Sequence, residues 1–261
     1  MSYSLAELMI VANADIYKND GEVLVTGIGV LPRIAASLAM KTCNTDIMMT
    51  DSEAWILAEP NPLVRDKDYK QKNENWMGFS RIFDNVWSGK RHITGGPTQI
   101  DRFGQTNISR LGGTHQQPKV QMLGARGFPG NSISHVNSFI VMSHSKRVFV
   151  EGEVDMVCTV GYNPERLPKG HSLDDLKLST IITDLCVLDF NGPDYKIQIR
   201  SLHPGISAEQ VQENTGFELH IPSDIPTTAA PTPEQMAIIN EIDPQNWRSK
   251  QLKDNPAGDR S

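Results

Sequence analysis

A strand, a glycine turn and a helix follow one another near the amino terminus, and this order constrains the fold more than any other feature. Residues 22–27 (EVLVTG) form a short β-branched run, and residues 27–32 (GIGVLP) supply the turn. An apolar segment with helical spacing occupies 33–40, and residues 46–50 (DIMMT) form a second apolar strand. A right-handed crossover makes two such strands parallel neighbours. The sequence therefore predicts a βαβ unit.

Other segments extend this pattern into a complete α/β domain. Ser4 and Glu7 have the spacing of a capping box, which predicts that a helix begins there. Residues 92–160 are dense in short strands, and 179–190 and 195–204 read as two further strands around an Asn-Gly turn. We predict an α/β fold with one open mixed, mainly parallel sheet and helices on both faces.

Two segments interrupt the periodic pattern. Residues 59–75 mix prolines with charges of both signs, which predicts a long excursion or lid ahead of a helix at about 76–87. The proline-spaced segment 222–233 leads into a last helix and a polar tail. We therefore expect an α/β domain at 1–221 and an extension at 222–261. The proline-rich segment either lies across another subunit or forms a surface tail.

Composition and charge exclude several classes of protein. The 261 residues carry 25 Lys and Arg against 31 Asp and Glu, a net charge of −6 that argues against nucleic-acid binding. No window approaches the roughly 18 uncharged apolar residues of a membrane span, and no signal-peptide pattern opens the chain, so we expect a cytoplasmic protein without membrane contacts. Cys43, Cys158 and Cys186 are scattered and lack nearby histidines, which predicts reduced thiols and no metal site.

The turn at 27–32 is a first candidate for ligand binding. It lacks the third glycine of a dinucleotide fingerprint, and the next strand does not end in an acid placed to bind a ribose, so a Rossmann cofactor is disfavoured. Gly27 and Gly29 nevertheless allow the backbone to approach a ligand at the carboxyl end of a strand. The alternative is a tight strand-to-helix turn, and the pattern leaves both open.

The segment 124–131 (GARGFPGN) directly follows an apolar strand and is the more informative candidate. Its candidate binding residues are Gly124, Arg126, Gly127, Gly130 and Asn131. Amides aimed at one point can stabilise the oxyanion of a thioester or an enolate, and the Arg126 guanidinium can pair with a phosphate or carboxylate. An ordinary turn with a solvated arginine is the alternative, but the density of glycines favours function.

Two polar segments offer further candidates. Ser52 and Glu53 come just after the second parallel strand, where open α/β sheets bind ligands, and a partly buried carboxylate there can act as nucleophile or base. The alternative, which residue chemistry alone favours, is a short side chain that caps the next element. Gln99 and Asn107 belong to the loop 99–107, and their amides either orient a substrate or satisfy one another.

Taken in order, these stretches resemble the β subunit of a family I coenzyme A (CoA) transferase. The resemblance rests on GIGVLP, the acid after the second strand, QIDRFGQTN, GARGFPGN, SLHPGISAEQVQENTGFEL and a late helix ending in EIDP. The stretch at 203–219 is the most specific, and the resemblance covers most of the chain. Within the family the sequence is similar to the β subunits of steroid ring-opening hydrolases, which act on CoA thioesters from cholesterol or bile-acid breakdown.

One departure separates the chain from the transferases. Glutaconate-type transferases carry Glu-Ser-Gly after the corresponding strand, and that glutamate forms a covalent thioester. Aligned without a gap from Asp46, the glutamate's position holds Ser52, and Glu53 falls one residue later. A one-residue shift in an extended segment turns a side chain to the opposite face, although a local bulge could restore it.

The resemblance therefore implies a β subunit of a hydrolase that opens a carbocyclic ring of a steroid-derived CoA thioester by hydrolytic C–C cleavage. It implies an α2β2 heterotetramer in which the α subunit supplies the principal glutamate. Coenzyme A enters as part of the substrate, and no bound cofactor is expected. Two alternatives stay open: a true CoA transferase of 3-oxoacid or glutaconate type that uses Glu53, and a noncatalytic ligand-sensing or scaffold subunit.

Overall fold

The computed structural model describes residues 2–50 and 54–252, so Ser52 and Glu53 lie outside the described residues. The helices are α1 (Leu5–Asp15), α2 (Val30–Lys41), α3 (Gly78–Trp87), α4 (Phe128–Ser134), α5 (Ala208–Glu213) and α6 (Pro233–Ile242). The strands are β1 (Leu24–Gly27), β2 (Met48–Met49), β3 (Trp55–Leu57), β4 (Asn73–Trp76), β5 (Arg91–Gly95), β6 (Gln99–Ile100), β7 (Thr106–Asn107), β8 (Arg110–Gly113), β9 (Pro118–Gln121), β10 (Val136–Val141), β11 (Lys177–Thr183), β12 (Cys186–Asp189) and β13 (Gln198–Leu202).

The chain forms two compact units. The first comprises the described residues up to Gly95 and those from Thr228 onward, and the second comprises Gly96–Thr227. The first unit is therefore built from two separate stretches of chain. The division into a domain and an extension after residue 221 stays a prediction.

The predicted βαβ unit forms the centre of the first unit. Strand β1 pairs in parallel with β2 on one side and with β5 on the other, and α2 is the crossover between β1 and β2. A Cβ at Gly27 would lie 2.5 Å from the Pro32 carbonyl oxygen, so only glycine allows α2 to begin this close to the strand. Gly29 precedes the helix with φ of +110°, a conformation that favours glycine.

Helices α1 and α6 pack together with α2 in the first unit. The capping box at Ser4 is confirmed, because Ser4 Oγ accepts from the Glu7 amide while Glu7 accepts from the Ser4 amide. Arg248, only 5% exposed, then joins the two stretches of chain: its Nε donates to Glu7 Oε1 at 2.9 Å and its Nη1 donates to Asp243 Oδ2 at 3.2 Å. The carboxyl-terminal helix is thus fixed to the amino-terminal one.

The second unit contains both parallel and antiparallel strand pairs. Strand β10 pairs in parallel with β11, which pairs antiparallel with β12, and β12 pairs antiparallel with β13. The predicted hairpin at residues 191–194 is confirmed as the connection from β12 to β13. The expectation of a single strand over 179–190 is wrong, because Thr183 Oγ1 accepts from the amides of Leu185 and Cys186 and reverses the chain there.

The predicted α/β class, a mainly parallel sheet with helices, is confirmed. Around the second unit's core, the short strand pairs β6–β7 and β8–β9 form two small hairpins. Single turns of 3-10 helix occur at Pro164–Arg166, Leu173–Asp175, Pro193–Tyr195 and Trp247–Lys250. None of the helices in residues 2–50 and 54–252 has the length and apolar character that crossing a membrane requires.

Candidate functional site

The glycine turn after β1 lies in the wall of a cavity of about 570 Å³ in the first unit. Both predicted binding residues of the turn, Gly27 and Gly29, belong to this wall. The other lining residues are Leu24, Val25, Thr26, Ile28, Val30, Arg33, Met49, Thr50, Leu63, Met77 and Arg91. The turn is therefore both a tight strand-to-helix connection and an edge of an open space, so the two interpretations of the sequence are compatible.

Two arginines that the sequence pattern did not single out contribute to this cavity. Arg91, at the start of β5, donates from Nε to Thr26 Oγ1 at 3.0 Å, and its partial burial lowers the pKa of the guanidinium. Arg33, in the first turn of α2, points Nη1 toward the Thr50 carbonyl oxygen at 3.5 Å. Among the described residues that line the cavity, none is acidic.

The excursion at 59–75 is held to the first unit by its own hydrogen bonds. Leu63, which lines the cavity, donates its amide to the Ile242 carbonyl oxygen at 2.8 Å. The buried Asn61 donates to Gln71 Oε1 at 2.7 Å and accepts from the Tyr69 hydroxyl at 2.9 Å. The segment then enters β4 and the predicted helix α3. Its role as a lid stays a prediction.

The candidate amides of Gln99 and Asn107 lie opposite each other on β6 and β7. Asn107 Nδ2 donates to Gln99 Oε1 at 2.7 Å, and Gln99 Nε2 donates to Asp155 Oδ2 at 3.0 Å. Asn107 Oδ1 accepts from the Ser109 amide at 2.8 Å. Both side chains are buried, so the geometry supports the alternative in which these amides satisfy one another. A contact with the substrate stays a prediction.

Asp101, between these two strands, is held by a similar network. Its Oδ1 accepts from the amides of Phe103 and Gln105 at 3.0 and 3.1 Å, and its Oδ2 accepts from Gln105 Nε2. Burial raises the pKa of Asp101 above its ordinary value, while these hydrogen bonds act in the opposite direction. The network closes the β6–β7 turn, which makes Asp101 a structural acid here.

The segment 124–131 is partly helical. Gly127 is followed directly by α4, with Pro129 in the first turn, and the amides of Phe128 and Asn131 donate to carbonyls of Ala125 and Gly127. The expectation of a loop is therefore wrong from Phe128 onward, and the amides of Phe128 and Asn131 are engaged within the protein. The physical reason is that proline fits the first turn of a helix, where its missing N–H costs nothing.

Arg126 stands out within this segment. Its side chain is exposed, and its backbone has φ of +49°, a left-handed conformation that is uncommon outside glycine. Gly124 also has positive φ, at +82°, so the chain turns sharply before α4 begins. Asn131 is buried, and its carbonyl oxygen accepts from Asn137 Nδ2 at 2.9 Å. The left-handed backbone of Arg126 is strained, and backbone strain of this kind clusters at functional sites.

Two of the cysteines and the buried His144 belong to the interior of the protein. Cys158 and Cys186 are buried and Cys43 is half-buried, and none of the three forms a disulfide. His144 hydrogen-bonds Thr183 Oγ1 at 3.1 Å and Thr215 Oγ1 at 2.9 Å and stacks on Phe149. Over the described part of the chain, no group of three or more His, Cys, Asp or Glu side chains is arranged to hold a metal ion.

Comparison with known proteins now places the chain. No family profile matches it. It is 41% identical over 248 residues to the cholesterol ring-cleaving hydrolase IpdB subunit of Rhodococcus jostii (strain RHA1), covering 95% of each chain. It is 32% identical to a 3-oxoadipate CoA-transferase subunit of Pseudomonas knackmussii, covering 93% of this chain and 94% of that one.

A solved structure agrees with the sequence relatives. The crystal structure of Rhodococcus jostii RHA1 IpdAB contains a chain that superposes with a TM-score of 0.88 and 38% identity, covering 97% of this chain and all of the other. The resemblance predicted from the sequence is thereby confirmed. The chain belongs to the family of the cholesterol ring-cleaving hydrolase IpdB subunits, which is related to subunits of the CoA transferases.

Proposed function

We propose that this chain is the β subunit of a hydrolase that opens a carbocyclic ring of a steroid-derived CoA thioester by hydrolytic C–C cleavage. The observation that carries the proposal is its 41% identity to a cholesterol ring-cleaving hydrolase subunit across 95% of both chains. Identity to the CoA-transferase subunit is lower, at 32%. The hydrolase is therefore favoured over the transferase, and over a noncatalytic subunit.

The enzyme requires a second kind of subunit. The superposed Rhodococcus structure is that of IpdAB, a two-subunit protein, and its matching chain is covered completely. We propose that this chain likewise assembles with an α subunit, in an α2β2 heterotetramer. The α subunit would supply the principal glutamate, which acts as a base on water or on the ring.

The proposed reaction develops negative charge that the active site must stabilise. Water adds to a ring ketone, the neighbouring C–C bond breaks, and its electron pair passes to the carbon beside the thioester, so that a carboxylic acid and a thioester enolate form. A proton then reaches that carbon. Because negative charge develops on the thioester oxygen, fixed donors that are already aimed at it lower the barrier.

We assign to Arg126 the role of stabilising the negative charge on the thioester oxygen. Arg126 is exposed, held in a left-handed conformation, and without a hydrogen-bond partner in the stretches that the structure describes. Gly124, Gly127, Gly130 and Asn131 would shape the backbone around it. Gly27 and Gly29 stay predicted binding residues of the first unit's own cavity. Gln99 and Asn107 would position rather than touch the substrate, given their mutual hydrogen bond.

The remaining parts of the proposal concern cofactors and location. A base, water and oxyanion donors account for every step, so we propose that coenzyme A enters only as part of the substrate and that no cofactor is bound. The three cysteines form no disulfide, which fits the reducing cytoplasm where CoA esters are handled. We propose a cytoplasmic location on these grounds.

Ring opening is tested with the chain co-expressed with its α partner and supplied with a carbocyclic keto acyl-CoA ester in H2(18)O. We expect one labelled oxygen in the new carboxylate and no reduced adduct on Ser52 or Glu53 after borohydride. A borohydride adduct at Glu53, with CoA passed to a second acid, would establish the transferase instead. Substrate binding without turnover by the assembled complex would establish the noncatalytic alternative.

The role of Arg126 is tested separately with Arg126→Lys and Arg126→Ala. Removing one oxyanion donor lowers kcat by about 100- to 1000-fold, so we expect the alanine variant in this range and partial rescue by lysine. Arg147→Ala, which removes an exposed arginine elsewhere, is the matched control and should keep wild-type kcat. An Arg126→Ala enzyme with unchanged kcat would remove Arg126 from the mechanism.

A further inference from the structure

A cavity of about 640 Å³ in the second unit has a wall rich in aromatic side chains. Four rings line it, those of Phe103, Tyr162, Tyr195 and Phe217. All of its lining residues belong to the stretch Gly96–Thr227. None of the binding residues of the proposed reaction is among them, so that reaction gives the cavity no role.

Tyr162 and Tyr195 form a flat aromatic platform in this wall. Their rings stack with centroids 4.3 Å apart and planes inclined by 12°. Tyr162 is buried, and its hydroxyl oxygen accepts from the Leu178 amide at 3.1 Å, which fixes the ring. Tyr195 is only half-buried, and its hydroxyl donates to Asp174. Because Tyr162 covers one face of Tyr195, a ligand in the cavity would contact the opposite face.

The backbone that presents Tyr195 is strained. Asp194 has φ of +53° and Tyr195 has φ of +60°, so two successive residues other than glycine are left-handed in the connection from β12 to β13. Aspartate tolerates this conformation, but a bulky aromatic residue rarely adopts it. Because such strain clusters at functional sites, a tyrosine at this position is explained better by a role for its ring than by the turn.

The charges of the wall are unequal, because three acids face two cations. Lys196 Nζ lies 3.0 Å from Glu218 Oε2, which pairs one cation with one acid. The Arg102 guanidinium lies 4.6 Å from the centre of the ring of the next residue. Glu151 and Asp194 are exposed, and neither forms an ion pair with another residue that the structure describes. The excess negative charge beside aromatic rings favours a cation as ligand and disfavours a phosphate.

We propose that this cavity binds a small organic cation, an ammonium group attached to a flat apolar body. The body would stack on Tyr195 and contact Phe217, while the ammonium group meets the carboxylates of Glu151 and Asp194. A volume of about 640 Å³, with mostly apolar walls and a few polar groups, is typical of small-molecule sites. Such a ligand goes beyond the proposed reaction, because ring opening does not require one.

The test uses the assembled α/β complex and isothermal titration calorimetry with three indoles that share one flat body. Tryptamine carries an ammonium group, tryptophol carries a neutral hydroxyl in its place, and indole-3-acetate carries a carboxylate. We expect the wild-type complex to bind tryptamine about fivefold more tightly than tryptophol or better, the size of a cation–π contact at a partly exposed site. Indole-3-acetate should bind most weakly of the three.

Substitutions in the wall separate charge from stacking. Glu151→Gln and Asp194→Asn should each lower tryptamine affinity about two- to threefold, and the double variant should bind tryptamine and tryptophol almost equally. Tyr195→Leu removes the ring at the same backbone strain and should weaken both probes, whereas Tyr195→Phe should keep wild-type affinity. Glu209→Gln, at an exposed acid of α5, is the matched control and should behave as wild type.

The outcomes that would overturn the proposal are distinct. Equal affinity of the wild-type complex for tryptamine and tryptophol would show that no cation is recognised. Tightest binding of indole-3-acetate would show an anion site instead. An unchanged preference in the double variant would remove both carboxylates from recognition, and that variant keeps the volume of each side chain if Tyr195→Leu fails to assemble. No binding of any indole to the complex would also refute the site, because the assembled protein would then leave it no access.

Discussion

Acidification should destabilise this protein through the buried histidine His144. His144 is 5% exposed, and burial lowers its pKa from 6.5 to about 3. It therefore stays neutral in the folded protein at pH values where the same side chain takes up a proton in the unfolded chain. Because the unfolded state then binds more protons, the free energy of unfolding falls as the pH drops below about 6.5.

The size of the effect follows from the two pKa values. Linkage gives a loss of about 1.4 kcal/mol for each pH unit between about pH 6 and pH 3, so about 2 kcal/mol is lost between pH 7.5 and pH 5. His144→Gln provides the comparison, since glutamine can still hydrogen-bond Thr183 and Thr215 but does not titrate. The variant should be less stable at neutral pH and should lose about 2 kcal/mol less on acidification.

The assay is urea unfolding followed by tryptophan fluorescence and far-ultraviolet circular dichroism at pH 7.5, 6 and 5. Agreement of the two signals checks that a single transition is measured. Parallel pH profiles for the wild type and the variant would refute the reasoning, because the stability change would then come from other groups.

Four further substitutions test stability, and each is measured by urea unfolding. Arg248→Met leaves two buried carboxylates unpaired and should cost about 3–5 kcal/mol, whereas Lys41→Met breaks an exposed ion pair and should cost less than about 1 kcal/mol; equal losses would contradict the role of burial. Gly27→Ala puts a methyl group 2.5 Å from a carbonyl oxygen and should cost about 1–3 kcal/mol, so an unaffected variant would show that α2 shifts freely. Asn13→Leu replaces a buried amide without a hydrogen-bond partner in the described residues and should add about 1–3 kcal/mol, and a loss would show that the amide is satisfied.

Local patterns predicted the parts of the fold that depend on neighbouring residues. The capping box at Ser4, the glycine turn before α2 and the hairpin between β12 and β13 each rest on residues a few positions apart. The prediction of a single strand over 179–190 was wrong because Thr183, although β-branched, also forms turns. Its hydroxyl accepts a hydrogen bond from the Leu185 amide and so ends the strand. The helix after Gly127 was missed although Pro129 signals a first turn.

The candidate site was less accessible from sequence because it depends on pairing between distant strands. Arg91 reaches Thr26 only through the parallel register of β1 and β5, in which Leu24 lies opposite Arg91. No pattern of residues close together in the sequence predicts that register. Arg33 could have been noticed from the sequence, because a positive charge in the first turn of a helix is unfavourable. The sequence placed Gln99 and Asn107 in one polar segment, but it could not tell mutual pairing from substrate contact.

The tie between Glu7 and Arg248 has a consequence for biosynthesis. A ribosome releases the first helix early, yet Glu7 in that helix gains its arginine partner only after 241 further residues have been translated. The intervening stretch can fold while the opening segment still waits for its final helix. A nonsense mutation at codon 248 would therefore leave the buried Glu7 without its arginine partner.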